Sequence, residues 1–313
     1  MLSFSFPSRL GLVENLRNHL LAGQWAAMFG GPLIGKSTLA RRLAKELDEA
    51  GRKAVFLQIP LLISDSAFWP QLLEALLQEG IGPAARNPFK KPPAALPDLM
   101  LQLHHLYERA PSEIASRPVI LILDDCDYLL RHETLIPQII NLALESPLPS
   151  IQAICWVGGP TFSDWVAAHS GAFKVKLRLY PLSVIPIREA RRIIREQLGP
   201  EKPVEEIDRI WNETGGHPLL LEQTFTPKGT RSAETLRGQL RQILRPEDEA
   251  ILDQLDPGGR WTILDVLKDQ KGEKIPKPAL DRLCMLGLTV RTLIDGVAAI
   301  RLTSPLFAQV TEK

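Results

Sequence analysis

Eight consecutive residues, Gly30-Gly31-Pro32-Leu33-Ile34-Gly35-Lys36-Ser37, fill every fixed position of the pattern GxxxxGK[ST]. They follow an apolar run, Trp25 to Phe29, and open an amphipathic one from Lys36 to Ala50 that stops at Gly51. In that setting the residue types fit the holding of a phosphate chain. Glycines let successive backbone N–H groups turn inward around a β-phosphate, and a helix beginning near Lys36 adds the positive end of its dipole. Lys36 is placed to neutralise the β and γ phosphates, and the Ser37 hydroxyl to hold Mg²⁺. The expected nucleotide-binding set here is Gly30, Gly31, Pro32, Leu33, Ile34, Gly35, Lys36, Ser37 and Thr38, with ATP or ADP and Mg²⁺ as the ligands.

Such a site needs an acidic residue at the end of a buried strand. VILILDDCDYLL supplies it, with Asp124 lying 88 residues beyond Lys36. Asp124 is the expected magnesium-side carboxylate, shared with Ser37. Asp125 takes the position from which a carboxylate orients the attacking water, on a shorter arm than a glutamate and therefore with slower hydrolysis. Lys36, Asp124 and Asp125 form the expected catalytic set, while Asp127 suits a helix-capping role.

These residues must be carried by a layered α/β fold. Over the first 180 residues short apolar runs alternate with amphipathic segments, the pattern of parallel strands joined by covering helices. Strands are expected at Trp25–Phe29, Ala54–Ile59, the run opened by Pro118, Ile151–Val157 and, as an edge strand, Ala172–Leu179. The third is apolar on both faces and so central. Helices are expected from Ala67 to Gln78 and from Asp98 to Arg109, separated by the proline-rich surface loop GIGPAARNPFKKPPAALP. After Tyr180-Pro181 helical patterns follow at Pro186–Leu198, Val204–Thr214, Pro218–Phe225 and Ser232–Leu244, reading as a lid. From Pro246 come short helices, then two β-prone arms around Asp295-Gly296, a hairpin signal. Helices followed by a hairpin read as a winged helix. The expected architecture is a P-loop NTPase parallel sheet with helices on both faces over 1–181, a helical lid over 182–245 and a winged helix over 246–313.

Composition removes other classes. Of 313 residues 45% are hydrophobic and 23% charged, too apolar for disorder, and 37 Lys and Arg against 36 Asp and Glu leave no overall pull toward nucleic acid or an anionic membrane. Cys126, Cys155 and Cys284 stand far apart, supporting neither a disulfide framework nor a zinc site, and implying a reducing cytoplasm. No segment has the length and apolarity of a membrane span or a signal peptide, so a cytoplasmic location and no membrane partner are expected. His104-His105 cannot place both rings on one helix face, which disfavours a metal site there, and Trp25, Trp156, Trp165 and Trp211 read as core.

The P-loop, the Asp124-Asp125-Cys126-Asp127 strand end, the turn Pro181-Leu182-Ser183 and Thr214-Gly215-Gly216-His217-Pro218 occur in the order found in AAA+-like STAND ATPases. The chain resembles in particular the prokaryotic branch with a GHP motif, and the ending from Leu283 to Val310 is similar to that branch's winged helix. The resemblance implies a nucleotide switch in which an ADP-held closed state opens on exchange for ATP. It further implies that Pro218 packs against the adenine and that His217 lies near the phosphates or the lid hinge, although Pro218 also suits a plain helix start. Where the family has FVGRE, this chain has Phe6-Pro7-Ser8-Arg9-Leu10, keeping Phe and Arg, and Arg9 joins the expected nucleotide contacts.

Departures from the family narrow the expectation. The fourth strand ends Trp156-Val157-Gly158-Gly159-Pro160 with no arginine or asparagine to sense a γ-phosphate, Thr161 being the nearest polar residue. No arginine lies between Val157 and the fifth strand, which disfavours a ring motor while leaving a nucleotide-dependent oligomer open. The wing offers only Lys277, Arg282, Arg291 and Arg301 against Asp281 and Asp295, so weak DNA binding is expected there. A second basic cluster, Arg86, Lys90 and Lys91 around Phe89, reads as a solvated loop, with docking to an acidic partner as the other reading. The leading reading is an ATP/ADP-operated STAND switch with slow Mg²⁺-dependent ATPase activity that signals to a separate effector or target protein. The alternatives are a DNA-binding AAA+ loader resembling origin-recognition or transposition ATPases, and a nucleotide-dependent scaffold.

Overall fold

The computed structural model describes residues 7–79, 89, 91–108, 118–132, 134–145, 151–173, 175–225, 230–252, 260–262, 277–294, 297–304 and 307. β1 (Ala26–Gly30), β2 (Lys53–Gln58), β3 (Val119–Asp124), β4 (Ile151–Gly158) and β5 (Arg178–Leu182) form one sheet in the order β2-β3-β4-β1-β5. The β2/β3, β3/β4 and β1/β4 pairs are parallel, which requires a crossover between consecutive strands. Every residue of β1 and β3 is buried, so both read in sequence as unbroken apolar runs. The fifth strand lies later than its sequence pattern predicts. Ala172 and Phe173 belong to a short 3-10 turn, Ser170–Phe173, because Phe173 is drawn edge-on against Trp156 and Trp165. The chain rejoins the sheet only at Arg178, whose N–H donates to the Trp25 carbonyl at 2.9 Å.

The covering helices are α1 (Pro7–Leu21), α2 (Lys36–Glu49), α3 (Asp65–Gln78), α4 (Leu96–Glu108), α5 (Leu135–Glu145) and α6 (Pro160–Ala168). Leu39, Ala40, Leu43 and Leu47 make one buried stripe of α2, the helical spacing that set the sequence expectation. Ser64 caps α3 by accepting the Ala67 N–H at 3.2 Å. Asp127 does cap a helix, though at a distance in sequence: its carboxylate accepts the Gly159 N–H and, at 3.0 Å, the Phe162 N–H at the start of α6. Of the four tryptophans read as core, Trp25, Trp156 and Trp211 are buried, while Trp165 is half-exposed and stacks on His169.

Beyond the sheet come α7 (Ile187–Leu198), α8 (Val204–Thr214), α9 (Pro218–Phe225), α10 (Thr230–Ile243), α11 (Pro246–Leu252), β6 (Arg260–Thr262), α12 (Lys277–Leu286), β7 (Thr289–Ile294) and β8 (Val297–Leu302). β6, β8 and β7 form a second, antiparallel sheet in that order, and the two-residue separation of β7 from β8 follows the hairpin expectation. Asp295-Gly296 itself, and Arg86 and Lys90 of the basic loop, lie outside the described residues. Lys91 is exposed. Among the described residues no helix is long and apolar enough to cross a membrane.

The chain packs as two compact units. One comprises Gly11–Phe29 and Lys36–Tyr180; the other comprises the described parts of Met1–Leu10, Gly30–Gly35 and Pro181–Lys313. The phosphate-loop sequence is therefore divided: Gly30–Gly35 belong to the second unit, Lys36 onward to the first. In the second unit, one core gathers Ile185, Ala190, Ile194, Ile207, Ile210, Trp211 and Leu221, and another unites Leu236, Leu240, Leu283, Leu286, Leu288 and Phe307.

Candidate functional site

In the sheet unit, the C-terminal ends of β2 and β3 meet the start of α2. Asp124 closes β3 with no exposed surface. One carboxylate oxygen accepts the Asp125 N–H at 3.0 Å and the other is buried with no hydrogen-bond partner. Burial raises the Asp124 pKa and the neighbouring Asp125 charge raises it further, while a hydrogen bond from Ser37, the Asp125 N–H and the charge of Lys36 pull it down. Lys36 has its own pKa lowered by burial, against the attraction of Asp127, Asp124 and Asp125 in that order. A hydroxyl and a carboxylate in hydrogen-bond contact, with a buried carboxylate oxygen left unpartnered, is a donor set of hard oxygens. It fits Mg²⁺, with Ser37 and Asp124 as the residues that would hold it.

Asp125 stands in the left-handed region at φ 60°. That conformation costs a residue with a side chain of order 1 kcal/mol or more and clusters at functional sites. Gln58, at the end of β2 and paired in register with Asp124, donates its amide to the Asp125 carboxylate at 2.9 Å. Arg41 of α2 in turn donates to Gln58 at 3.2 Å and lies over the Phe56 ring. Asp125 is thus held by a polar chain that no motif announced. Its signal in sequence is a glutamine ending an apolar strand, which is meaningful only once β2 is known to neighbour β3. Cys126 and Cys155 are buried nearby, with the Cys155 thiol pushed up by burial to about 12, so neither supplies a thiolate at neutral pH.

In the other unit, Gly30–Gly35 lie against the end of α12. That helix finishes in a Schellman turn: Gly287, at φ 77°, donates to the Cys284 carbonyl and Leu288 to the Leu283 carbonyl, each at 3.1 Å. The turn leaves the Met285 carbonyl as one of the orphan acceptors of a helix end, and the Gly31 N–H donates to it at 2.8 Å. A Cβ at Gly31 would lie 2.3 Å from the Leu286 carbonyl oxygen, so only glycine allows this approach. Leu33, with φ 55°, is the other residue besides Asp125 with a side chain and positive φ among the described residues. Both fall in the two sequence motifs from which the site was read.

His217 is completely buried in the same unit, edge-on to Phe307 and within contact of where a Gly287 side chain would start. Neither ring nitrogen has a hydrogen-bond partner. Its pKa is pushed down to about 3, first by burial, then by the Arg9 charge, with the nearby Pro32 carbonyl acting in the opposite sense. The ring is therefore neutral at physiological pH. Gly215 and Gly216 before it have φ 54° and 78°, and a Cβ on Gly215 would sit 2.0 Å from the Thr303 carbonyl oxygen. Pro218 is half-buried at the first position of α9, where its missing N–H costs nothing. Arg9 is buried, donates to the Ser183 carbonyl and has its pKa lowered by burial to about 10 despite Glu189. The structure thus joins Arg9 to the Pro181–Ser183 turn and sets His217 near Pro32.

The cations counted for DNA in the C-terminal segment are partly committed. Arg282 is buried and donates to Asp248 at 3.0 Å and to the Ile243 carbonyl at 3.0 Å. Arg301 lies over the Trp211 ring, 5.5 Å from its centroid. Thr161 is exposed in the first turn of α6, and Arg178, the first residue of β5, donates to Gln24 at 3.3 Å.

A sheet of order β2-β3-β4-β1-β5 with GxxxxGKS after β1 and an aspartate closing β3 is an AAA+-like P-loop NTPase fold. Residues 23–151 match the AAA domain family. Among solved structures, the chain is similar to a Walker-type ATPase of Pyrococcus abyssi at TM-score 0.58 and 17% identity, over 99% of this chain and 96% of that one. It is similar to the ORC2 protein of Aeropyrum pernix, solved in ADPNP–ADP complexes, at TM-score 0.56 and 15% identity, covering 98% and 92%. It is also similar to Cdc6p of Pyrobaculum aerophilum at TM-score 0.53 and 15% identity, covering 99% and 94%. No curated protein sequence matches the chain.

Proposed function

We propose that this protein is an ATP/ADP-binding switch of the STAND type, with slow Mg²⁺-dependent hydrolysis and a separate partner protein as its target. Gly30 to Thr38 hold the phosphates, Ser37 and Asp124 hold Mg²⁺, and Asp125 orients the attacking water. Arg9, His217 and Pro218 complete the nucleotide contacts. The division is a core over 1–181, a helical lid over 182–245 and a winged helix over 246–313. The observation that carries the reading is the 2.8 Å bond from Gly31 N–H to Met285. A loop whose sequence is built for phosphate shares a backbone hydrogen bond with the last turn of α12, so a ligand that reshapes the loop acts directly on the C-terminal segment. Bound Mg²⁺ supplies Lewis-acid stabilisation of phosphate charge. For their part, Lys36 neutralises phosphate oxygens, and Asp125, held by Gln58, keeps the acceptor for the water's proton at a fixed place. The nucleotide recovered with the purified protein tests this reading: tightly held ADP fits a switch, and rapid exchange of both nucleotides with no change in the C-terminal segment removes it.

The second reading, a DNA-binding AAA+ loader, draws on the same fold. Engagement of Arg282 by Asp248 and of Arg301 by Trp211 counts against its wing as the DNA contact. DNA affinity that vanishes on substituting Lys277 and Arg291 would promote the loader.

A further inference from the structure

We propose that the exposed face of α7 is a docking surface for a nucleic-acid phosphate backbone. Arg188, Arg191, Arg192 and Arg195 recur at i, i+3, i+4 and i+7, which places all four within an arc of about 100° and a rise of about 10 Å. All four are exposed, and together with Glu196, Gly199 and Pro200 they line an open cleft of about 520 Å³. The opposite face, Ala190, Ile193 and Ile194, is buried in the core of its unit, so the helix is anchored and its outward stripe fixed. Gly199, at φ 91°, ends the helix and adds no side chain to the cleft lining.

Like charges at these spacings repel, and a folded helix keeps such a stripe only at a cost in stability. Two of the four are neutralised internally, Arg191 by Asp208 at 2.8 Å and Arg192 by Glu196 at 2.6 Å. Arg188 and Arg195, one at each end of the stripe, form no ion pair among the described residues. They are two open guanidinium forks in line along one helix face.

The chemistry of the cleft distinguishes between polyanions. An acidic protein would bring an apolar or aromatic anchor and need a pocket for it. No aromatic or branched aliphatic side chain lines this cleft to grip such an anchor: its residues are four arginines, a glutamate, a glycine and a proline. Recognition through planar guanidinium forks that match phosphate bidentately and ignore sequence is the mode of backbone contact to nucleic acid. With the net charge of the chain only +1, binding rests on this local stripe and not on a long-range field. It is independent of the nucleotide reading.

The test is fluorescence anisotropy of a mixed-sequence DNA duplex of about 20 bp against the full-length protein from 50 to 200 mM salt. Arg188→Ala/Arg195→Ala is expected to weaken binding at least tenfold at 50 mM, equally on unrelated sequences, and to reduce the slope of log K against log salt by about 2. Arg188→Lys/Arg195→Lys is expected to restore the slope, which a merely structural role for the arginines would not do. Equal affinity and slope for wild type and the alanine pair overturn the proposal. So does a wild type that prefers a polyglutamate peptide to the duplex, the result that would assign the stripe to an acidic protein.

Discussion

Asp124 sets stability against chemistry within one side chain. A carboxylate without exposed surface, one oxygen unpartnered, is costly to ionise, and burial accordingly raises its pKa. The stability tied to that raised pKa is fully present below the unfolded value and is lost as pH rises through the folded one. Above that pKa the ionised group therefore works against the fold. Asp124→Asn is expected to raise the melting temperature of the nucleotide-free protein by a few degrees, the equivalent of about 1 kcal/mol. The same variant should lose Mg²⁺-dependent phosphate release. A lower melting temperature with hydrolysis intact would show Asp124 to be structural. Lys36→Ala is expected to abolish nucleotide binding by calorimetry, since on the proposed reading the group lost is the one that meets phosphate. Asp125→Asn should leave affinity nearly unchanged and lower turnover by about a hundredfold, the usual contribution of a positioned base; undiminished turnover would place the base elsewhere.

Among the elements, the junction of Gly31 with the end of α12 carries the mechanical consequence. The Schellman turn at Gly287 uses the Leu283 and Cys284 carbonyls and leaves that of Met285 for the loop. Gly31→Ala would set a Cβ 2.3 Å from a backbone oxygen, which no side-chain rotation relieves. The loop and the helix end must separate, and the shared hydrogen bond, worth about 1 kcal/mol, is lost. Amide hydrogen exchange over 283–288 should then accelerate about fivefold while β3 and β4 keep their protection. Unchanged exchange in that segment would mean the contact holds nothing in place.

For the molecule as a whole, His217 makes acid a measurable variable. Its folded pKa of about 3 lies below the ordinary 6.5, so the unfolded chain binds a proton that the folded one refuses. The stability concerned is present above pH 6.5 and is lost as pH falls toward 3, at up to about 1.4 kcal/mol per pH unit. Urea midpoints between pH 7 and 4 should fall more steeply for wild type than for His217→Leu; parallel curves would refute a neutral buried ring. Nucleotide works in the other direction. ADP at about 100 times its Kd should add about 2.7 kcal/mol to the wild type, and Pro218→Ala should shrink that increment at the same concentration. An equal ADP-induced shift with a lower unliganded melting point would assign Pro218 to the start of α9 alone.

What the sequence by itself determined is local. Chemistry concentrated in consecutive residues is legible because neighbours in the chain remain neighbours in space: GxxxxGKS between a strand and a helix, Asp124 closing an apolar run, and the hairpin arms around Asp295-Gly296. The parallel sheet was legible for the same reason, since buried parallel strands are apolar on both faces, whereas its strand order came only with the fold. Tertiary structure decided everything that depends on which segments meet. Gln58 reaches Asp125 across 67 residues and Asp127 caps α6 across 35, pairings with no sequence period. The fifth strand moved to Arg178–Leu182 because Phe173 found an aromatic cluster that a local pattern cannot reveal. Arg282 and Arg301 counted as cations for a partner until packing gave them Asp248 and Trp211. Burial is a property of the folded chain, and it alone distinguishes a charge already answered inside the molecule from one, such as Arg188 or Arg195, presented outward.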